Sequence, residues 1–210
     1  MPGPIHWDRM VADLGVSVDL LHLDEMPADV RLALAACGAL VVLARLDANR
    51  ALTPFSTSGW LATFAWVAVV LVYAALSSVW TAHDPGWYTQ FAKPSFQPPD
   101  VVFGVVWPLN FLAPLGVGLW FTRSAASTGV WLATEVLAAS VVAALIWAWL
   151  FYVLHRIGAA TVTLTVAAVL TWLLVALVAR SLPWAGVVLA PYAVWLSMAT
   201  ALSVQYTRLN

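Results

Sequence analysis

WLATFAWVAVVLVYAALSSVW, Trp60–Trp80, runs through 21 residues without one Asp, Glu, Lys or Arg. As a helix rising about 1.5 Å per residue it reaches about 30 Å, the thickness of the hydrocarbon core of a bilayer. Backbone amides in lipid have no water to bond to, so the run is expected to cross as an α-helix.

Four more runs of this kind follow: Val101–Phe121, Val136–Leu154, Gly158–Ala179 and Gly186–Tyr206, again without a charged side chain. The cost of a charge at mid-bilayer accounts for that exclusion. With 63% apolar residues, 9% charged residues and 13 Trp in 210, the whole composition departs from that of soluble domains in the same direction. The fold class expected is an all-α membrane protein, a five-transmembrane-helix bundle over residues 60–210. Short later connections make consecutive helices antiparallel neighbours. The protein is expected to be integral and multi-pass, with the lipid bilayer as its first partner.

Residues 1–59 differ in character, holding seven of the ten acids and four of the nine bases. Within them Leu32–Ala44 is apolar but only 13 residues long, too short to cross. An N-terminal helical extension, lying on the membrane or docked on the bundle, is the expectation. Ala51–Gly59, rich in Pro, Ser and Thr, reads as the linker into the first span. Arg45, Arg50, Arg123 and Arg180 fall on one side of the membrane and Lys93, Arg156 and Arg208 on the other, a weak bias that assigns the N-terminal segment to the cytoplasm.

A net charge of −1 without a basic run excludes nucleic acid as a partner. Cys37 is alone, and His6, His22, His83 and His155 are scattered without ligand spacing, so no metal site is expected. No Ser/His/Asp set, no carboxylate pair within a span and no phosphate-binding glycine loop is present, which leaves the bare residues without a catalytic constellation. Glu135, at the start of the third span, is expected at the interface.

The one long connection, Thr81–Asp100, contains Lys93-Pro94-Ser95-Phe96-Gln97-Pro98-Pro99. Its prolines fix φ, remove amide donors and hold their predecessors extended, so the segment is stiff before anything binds. Asp100 is expected to cap the second span. Trp87, Lys93, Pro94, Phe96 and Pro99 are then candidates for a preordered lid over the mouth of the bundle.

Trp60, Trp80, Trp120, Trp131 and Trp184 close the apolar runs, where an interfacial aromatic belt accounts for them. Trp107, Trp147, Trp172 and Trp195 lie inside, where an indole needs room and a partner for its N–H. Phe111 follows Trp107 by four residues, Phe151 follows Trp147 by four, and Ala199 and Ser203 follow Trp195 by four and eight, each set sharing a helix face. Pro108 and Pro114 interrupt the second span and free carbonyls beside that aromatic face. Gly116 and Gly118 are expected to permit close packing there.

WYTQFAKPSFQPPDVVFGVVW, Trp87–Trp107, resembles the WY-x(4)-KP-S-F-x-PP-x(3)-FG-x-VW signature of the TspO/translocator-protein family, the tryptophan-rich sensory proteins. PYAVWLSMATALSVQYTRLN, Pro191–Asn210, is similar to its fifth-helix ending, and WAWLFYVLHR, Trp147–Arg156, to its third helix. The resemblance implies a five-helix bundle of a bacterial cell membrane, often a homodimer. Its first connection caps a pocket for porphyrin or haem, or in some members cholesterol, a sterol-like ligand or synthetic compounds. By position it makes Tyr88, Trp107, Phe111, Trp147, Trp195, Ala199 and Ser203 ligand-binding, Lys93, Pro94 and Pro99 parts of the lid, and Trp107 and Trp195 the tryptophans proposed to react with protoporphyrin in light. Departures from the pattern stand at Pro108, Ser140, Ala144 and Ser203, where polar contacts to a ligand are expected to have changed.

The function expected is that of a membrane tetrapyrrole-binding sensory or regulatory protein, without an obligatory cofactor. An apolar pocket with stacked indoles suits a porphyrin face, with Lys93 or a loop amide meeting a propionate. The alternatives are a transporter of porphyrin, sterol or another small hydrophobic ligand, and an enzyme that degrades porphyrin in light. Val204–Arg208 and Leu150–Arg156 also fit the loose cholesterol pattern.

Overall fold

The computed structural model describes residues 57–124 and 127–210. The extension and most of the linker, including Leu32–Ala44 and Cys37, lie outside the described residues. Among the described residues six helices follow in order: α1 Thr57–Thr81, α2 Pro85–Thr89, α3 Asp100–Ser124, α4 Ser127–Tyr152, α5 Ile157–Ser181 and α6 Pro183–Leu209. No strand occurs among the described residues. All but α2 are long and apolar enough to cross a membrane.

The five long helices close into a ring in the order α1, α3, α6, α5, α4, each packing on its two neighbours. Of the five, α4 is the most buried, and its Val130, Ala133, Leu137, Val141, Ala144 and Ala148 lie at the centre of the packing. Small residues on α5, Ala160, Ala167 and Ala168, let the neighbouring backbones approach closely, as membrane bundles require.

Two glycines set the closest approaches. Gly118 on α3 leaves room for the indole of Trp66 on α1, because a Cβ there would lie 2.0 Å from Trp66 Cδ1. Trp66, fully buried, uses that space to donate from Nε1 to the Pro114 carbonyl at 2.8 Å. The bond ties α1 to α3 one turn beyond the Asn110 carbonyl, the one that Pro114 leaves without its helical donor. Gly116, by contrast, has nothing near its missing Cβ, so the expectation of close packing is met at Gly118 alone. Gly186 abuts Ala179, whose Cβ would stand 2.5 Å from a methyl group there. Between those two residues the chain reverses at Leu182, which ends α5 and starts α6, with Pro183 in the first turn of the new helix.

Helix boundaries follow the apolar runs except at α4, which begins well before Val136 and carries Glu135 two turns inside. Asp100 is the first residue of α3, within its first turn rather than ahead of it, where its charge still meets the positive helix end. The belt assignment holds for Trp60, Trp120 and Trp184, which are exposed, with Arg123 lying over the Trp60 ring at 4.8 Å. Trp80 and Trp131 are instead 4% and 3% exposed. Their place at the end of a run sets their depth, but the rotation of α1 and α4 turns them into the bundle.

Candidate functional site

Where α1 ends and α3 begins, the ring encloses a cavity of about 460 Å³, within the range of small-molecule sites. The second span contributes Phe103, Gly104, Trp107 and Phe111, residues spaced by one, three and four along a single face of α3. From α4 come Trp147, Phe151 and Tyr152, and from α6 Trp195, Ala199, Leu202, Ser203 and Tyr206. The last turns of α1 add Ser77, Ser78 and Thr81.

Ring contacts fix these walls. Trp107 and Phe111 stand 5.8 Å apart at 30°, and Phe111 meets Tyr73 of α1 edge-on at 5.1 Å, sealing the α1–α3 side below the cavity. Phe103 meets Trp195 edge-on at 5.3 Å, closing the α3–α6 side. Trp147 and Phe151 lie 5.9 Å apart with planes 29° from parallel. The Trp147 indole N–H is buried among these rings without a hydrogen-bond partner.

The connection between α1 and α3 reaches this space through Tyr88. Its start is helical rather than extended: Asp84 accepts from the Trp87 amide at 3.1 Å and Pro85 occupies the first turn of α2. Asp-Pro ahead of Gly-Trp-Tyr is the sequence signal for that turn, a cap followed by a proline. The connection is held from two sides. Trp87 stacks on His155 at 4.1 Å and packs edge-on against Phe91 and Phe151. Tyr206 donates to Gln97 Oε1 and lies 2.9 Å from the Tyr88 hydroxyl, while Asn210 Oδ1 accepts from the Ala92 amide at 3.0 Å.

All of Tyr88, Trp107, Phe111, Trp147, Trp195, Ala199 and Ser203 therefore border one cavity. The lid candidates do not: Trp87 faces α4 and His155, Pro94 is buried in the connection, and Lys93, Pro99 and Phe96 are exposed. Lys93 Nζ lies 6.0 Å from the Tyr88 ring and takes no part in the lining, so it is not placed to meet a ligand carboxylate inside. Trp172 is a further departure, 43% exposed on the outer face of α5 with its N–H donated to Ser197 Oγ at 3.0 Å.

Ser140 and Ala144 also lie away from the cavity. Ser140 bonds Thr171 Oγ1 at 2.7 Å and the Ala167 carbonyl at 3.1 Å, which makes it a tie between α4 and α5. Of the positions that depart from the family pattern, Ser203 lines the cavity. Sequence reasoning passed over Asp100, Phe103, Tyr152, Tyr206 and the three hydroxyls of α1. Phe103 precedes Trp107 by four residues, and Ser77 precedes Thr81 by four, the same spacing that marked the other faces.

The lining offers indole and phenol faces to a flat macrocycle and no imidazole, thiol or thioether to an iron atom. Among the described residues no cluster of His, Cys, Asp or Glu could hold a metal ion. The phenol oxygens of Tyr88, Tyr152 and Tyr206 are the lining groups of a kind that can ligate a haem iron, and those of Tyr88 and Tyr206 are held in hydrogen bonds.

Comparison with known proteins agrees with the geometry. The TspO/MBR family model matches residues 64–209. Protein CrtK of Rhodobacter capsulatus is 29% identical over 60% of this chain and 81% of its own. A tryptophan-rich sensory protein of Cereibacter sphaeroides is 33% identical over 59% of this chain and 77% of its own. With five spanning helices in a closed ring and a match over more than half its length, this multi-pass membrane protein, whose relatives are bacterial, belongs to the TspO/MBR family.

Proposed function

We propose that this protein is a membrane sensory or regulatory protein that binds a flat, tetrapyrrole-sized aromatic ligand within its bundle. One observation carries the reading: Trp107 and Phe111 of α3, Trp147 of α4 and Trp195 of α6 surround a single cavity beneath an ordered connection. Aromatic walls on three helices suit the face of a macrocycle, and apolar area buried there supplies most of the binding. The name of the Cereibacter relative points the same way.

Residue roles follow from position. Trp107 and Phe111 offer one aromatic wall, Trp147 and Trp195 the walls of α4 and α6, Ala199 and Ser203 the space left by small side chains, and Tyr88 a part of the roof. The test is a titration of the detergent-purified protein with protoporphyrin IX, in darkness and in light, for wild type, Trp107→Phe and Trp195→Phe. Saturable quenching of tryptophan fluorescence in the dark, weakened in both variants, is the expected result. Absence of saturable quenching would overturn the reading. A change of porphyrin mass on illumination that needs either tryptophan would replace the sensor with an enzyme, and protein-dependent uptake into vesicles would replace it with a transporter.

A further inference from the structure

Six of the seven hydroxyls that line the cavity have their protons committed, that of Tyr152 being the exception. Ser77 Oγ donates to the Tyr73 carbonyl at 2.6 Å, Ser78 Oγ to the Ala74 carbonyl at 2.7 Å and Thr81 Oγ1 to the Ser77 carbonyl at 2.8 Å. Tyr206 donates to Gln97 Oε1, so the proton between Tyr206 and Tyr88 comes from Tyr88. Thr161 Oγ1 donates to the Ile157 carbonyl at 3.0 Å, so Ser203 supplies the proton of their 2.7 Å contact. Each hydroxyl has one proton to give and keeps lone pairs after giving it. These six groups therefore meet a ligand as acceptors.

Asp100 adds to the same character. It is the only charged residue of the lining, and a carboxylate only accepts. Ser78, Thr81, Asp100 and Gly104 stand where α1 ends and α3 begins, and Gly104 has nothing within 4 Å of a would-be Cβ, so a substituent has room there. Lys93, Arg156 and Arg208 are all absent from the lining.

We infer that the cavity selects a flat ligand whose edge carries a cationic or N–H donor group, and that Asp100 is the residue that makes the selection. This deepens the reading of the cavity as a flat-ligand site and rests on it. A carboxylate at the α1–α3 end would face Asp100 and the lone pairs of Ser78 and Thr81, whereas an ammonium or N–H gains charge-assisted hydrogen bonds there. A porphyrin carrying propionates is accordingly held with them turned out of the cavity.

Four probes test this with the full chain in a neutral detergent: pyrenemethylamine, pyrenecarboxylate, protoporphyrin IX and its uncharged dimethyl ester. Tryptophan quenching is followed in wild type and Asp100→Asn. The amine is expected to bind about tenfold tighter than the carboxylate in wild type, and the ester at least as tightly as the diacid. In Asp100→Asn the gap shrinks to within about threefold because the amine loses its charge partner and the carboxylate loses a like charge. Equal binding of amine and carboxylate, or a gap that survives Asp100→Asn, overturns the inference. Amine selectivity that depends on Asp100 without quenching by either porphyrin sustains the inference and removes the tetrapyrrole reading. Saturable binding of none of the four removes both.

Discussion

The indole of Trp87 lies flat on the imidazole of His155, with centroids 4.1 Å apart and planes 17° from parallel. His155 Nε2 is also 3.9 Å from Asp84 Oδ2, so the residue that closes α4 touches both the cap of α2 and its first aromatic side chain. Its backbone is left-handed, φ 58°, where glycine is favoured. The Leu154 and Arg156 amides bond back to the carbonyls of Trp149 at 3.1 Å and Leu150 at 2.8 Å and end the helix around it. A ring at a glycine-like position is explained by what it supports.

His155→Gly separates the two roles, since glycine accepts the backbone and removes the ring. An aromatic pair contributes roughly 0.5–1.5 kcal/mol, so amide exchange across residues 85–99 is expected to rise about two- to tenfold. Exchange within α4 should hold at its wild-type rate. Unchanged exchange in the connection would mean that His155 serves the turn alone.

Gly118→Ala drives a methyl group against the Trp66 ring and the indole out of reach of the Pro114 carbonyl. Overpacking of this kind costs about 1–3 kcal/mol, and the detergent-solubilised protein should melt several degrees lower. Gly116→Ala, with open space around it, should melt as wild type does. Trp66→Leu in the Gly118→Ala background should recover part of the loss, at the cost of the hydrogen bond. Equal melting of the two alanine variants would remove the wedge.

The five spans were legible in sequence because lipid leaves a helix no alternative and no tolerance for charge. The cavity faces of α3 and α6 were legible for a related reason, since Trp107 with Phe111 and Trp195 with Ala199 and Ser203 repeat at helical spacing. Depth and rotation were not. Ser140 and Ala144 share a stripe with Trp147 and Phe151, but Ser140 sits about 10 Å further along the axis, below the cavity, where α4 meets α5. Trp80 and Trp131 fail in the complementary way, correct in depth and wrong in rotation. Hydroxyl direction, on which the acceptor character of the site depends, requires the carbonyl partners to be known and is invisible to spacing.

Ser140→Ala therefore acts on the bundle and not on the ligand. It removes both buried bonds that Ser140 makes from α4 to α5, each worth about 0.5–1.5 kcal/mol, and leaves Thr171 with its own donation to the Ala167 carbonyl at 2.8 Å. A melting temperature lowered by a few degrees with porphyrin affinity held within about twofold is the expected pair of results. A tenfold loss of affinity at unchanged stability would place Ser140 on a deeper extension of the cavity.

Tyr206 joins the roof to α6 through one oxygen, donating to Gln97 and accepting from Tyr88. Its ring also packs against Phe91 at 5.9 Å and Phe151 at 6.3 Å, and Tyr206→Phe keeps those contacts while deleting both hydrogen bonds. Because each is worth about 0.5–1.5 kcal/mol net, release of bound protoporphyrin should quicken roughly tenfold, read by displacement in stopped flow. Tyr88→Phe removes only the bond it donates and should quicken release by less, and Gln97→Ala should fall between the two. Stability should change little, since the deleted bonds hold the connection and not the ring of five helices. Identical release from wild type, Tyr206→Phe and Gln97→Ala would show that the ligand leaves by a path that does not displace the roof, which directs the exit to the α1–α3 side beside Ser78 and Gly104.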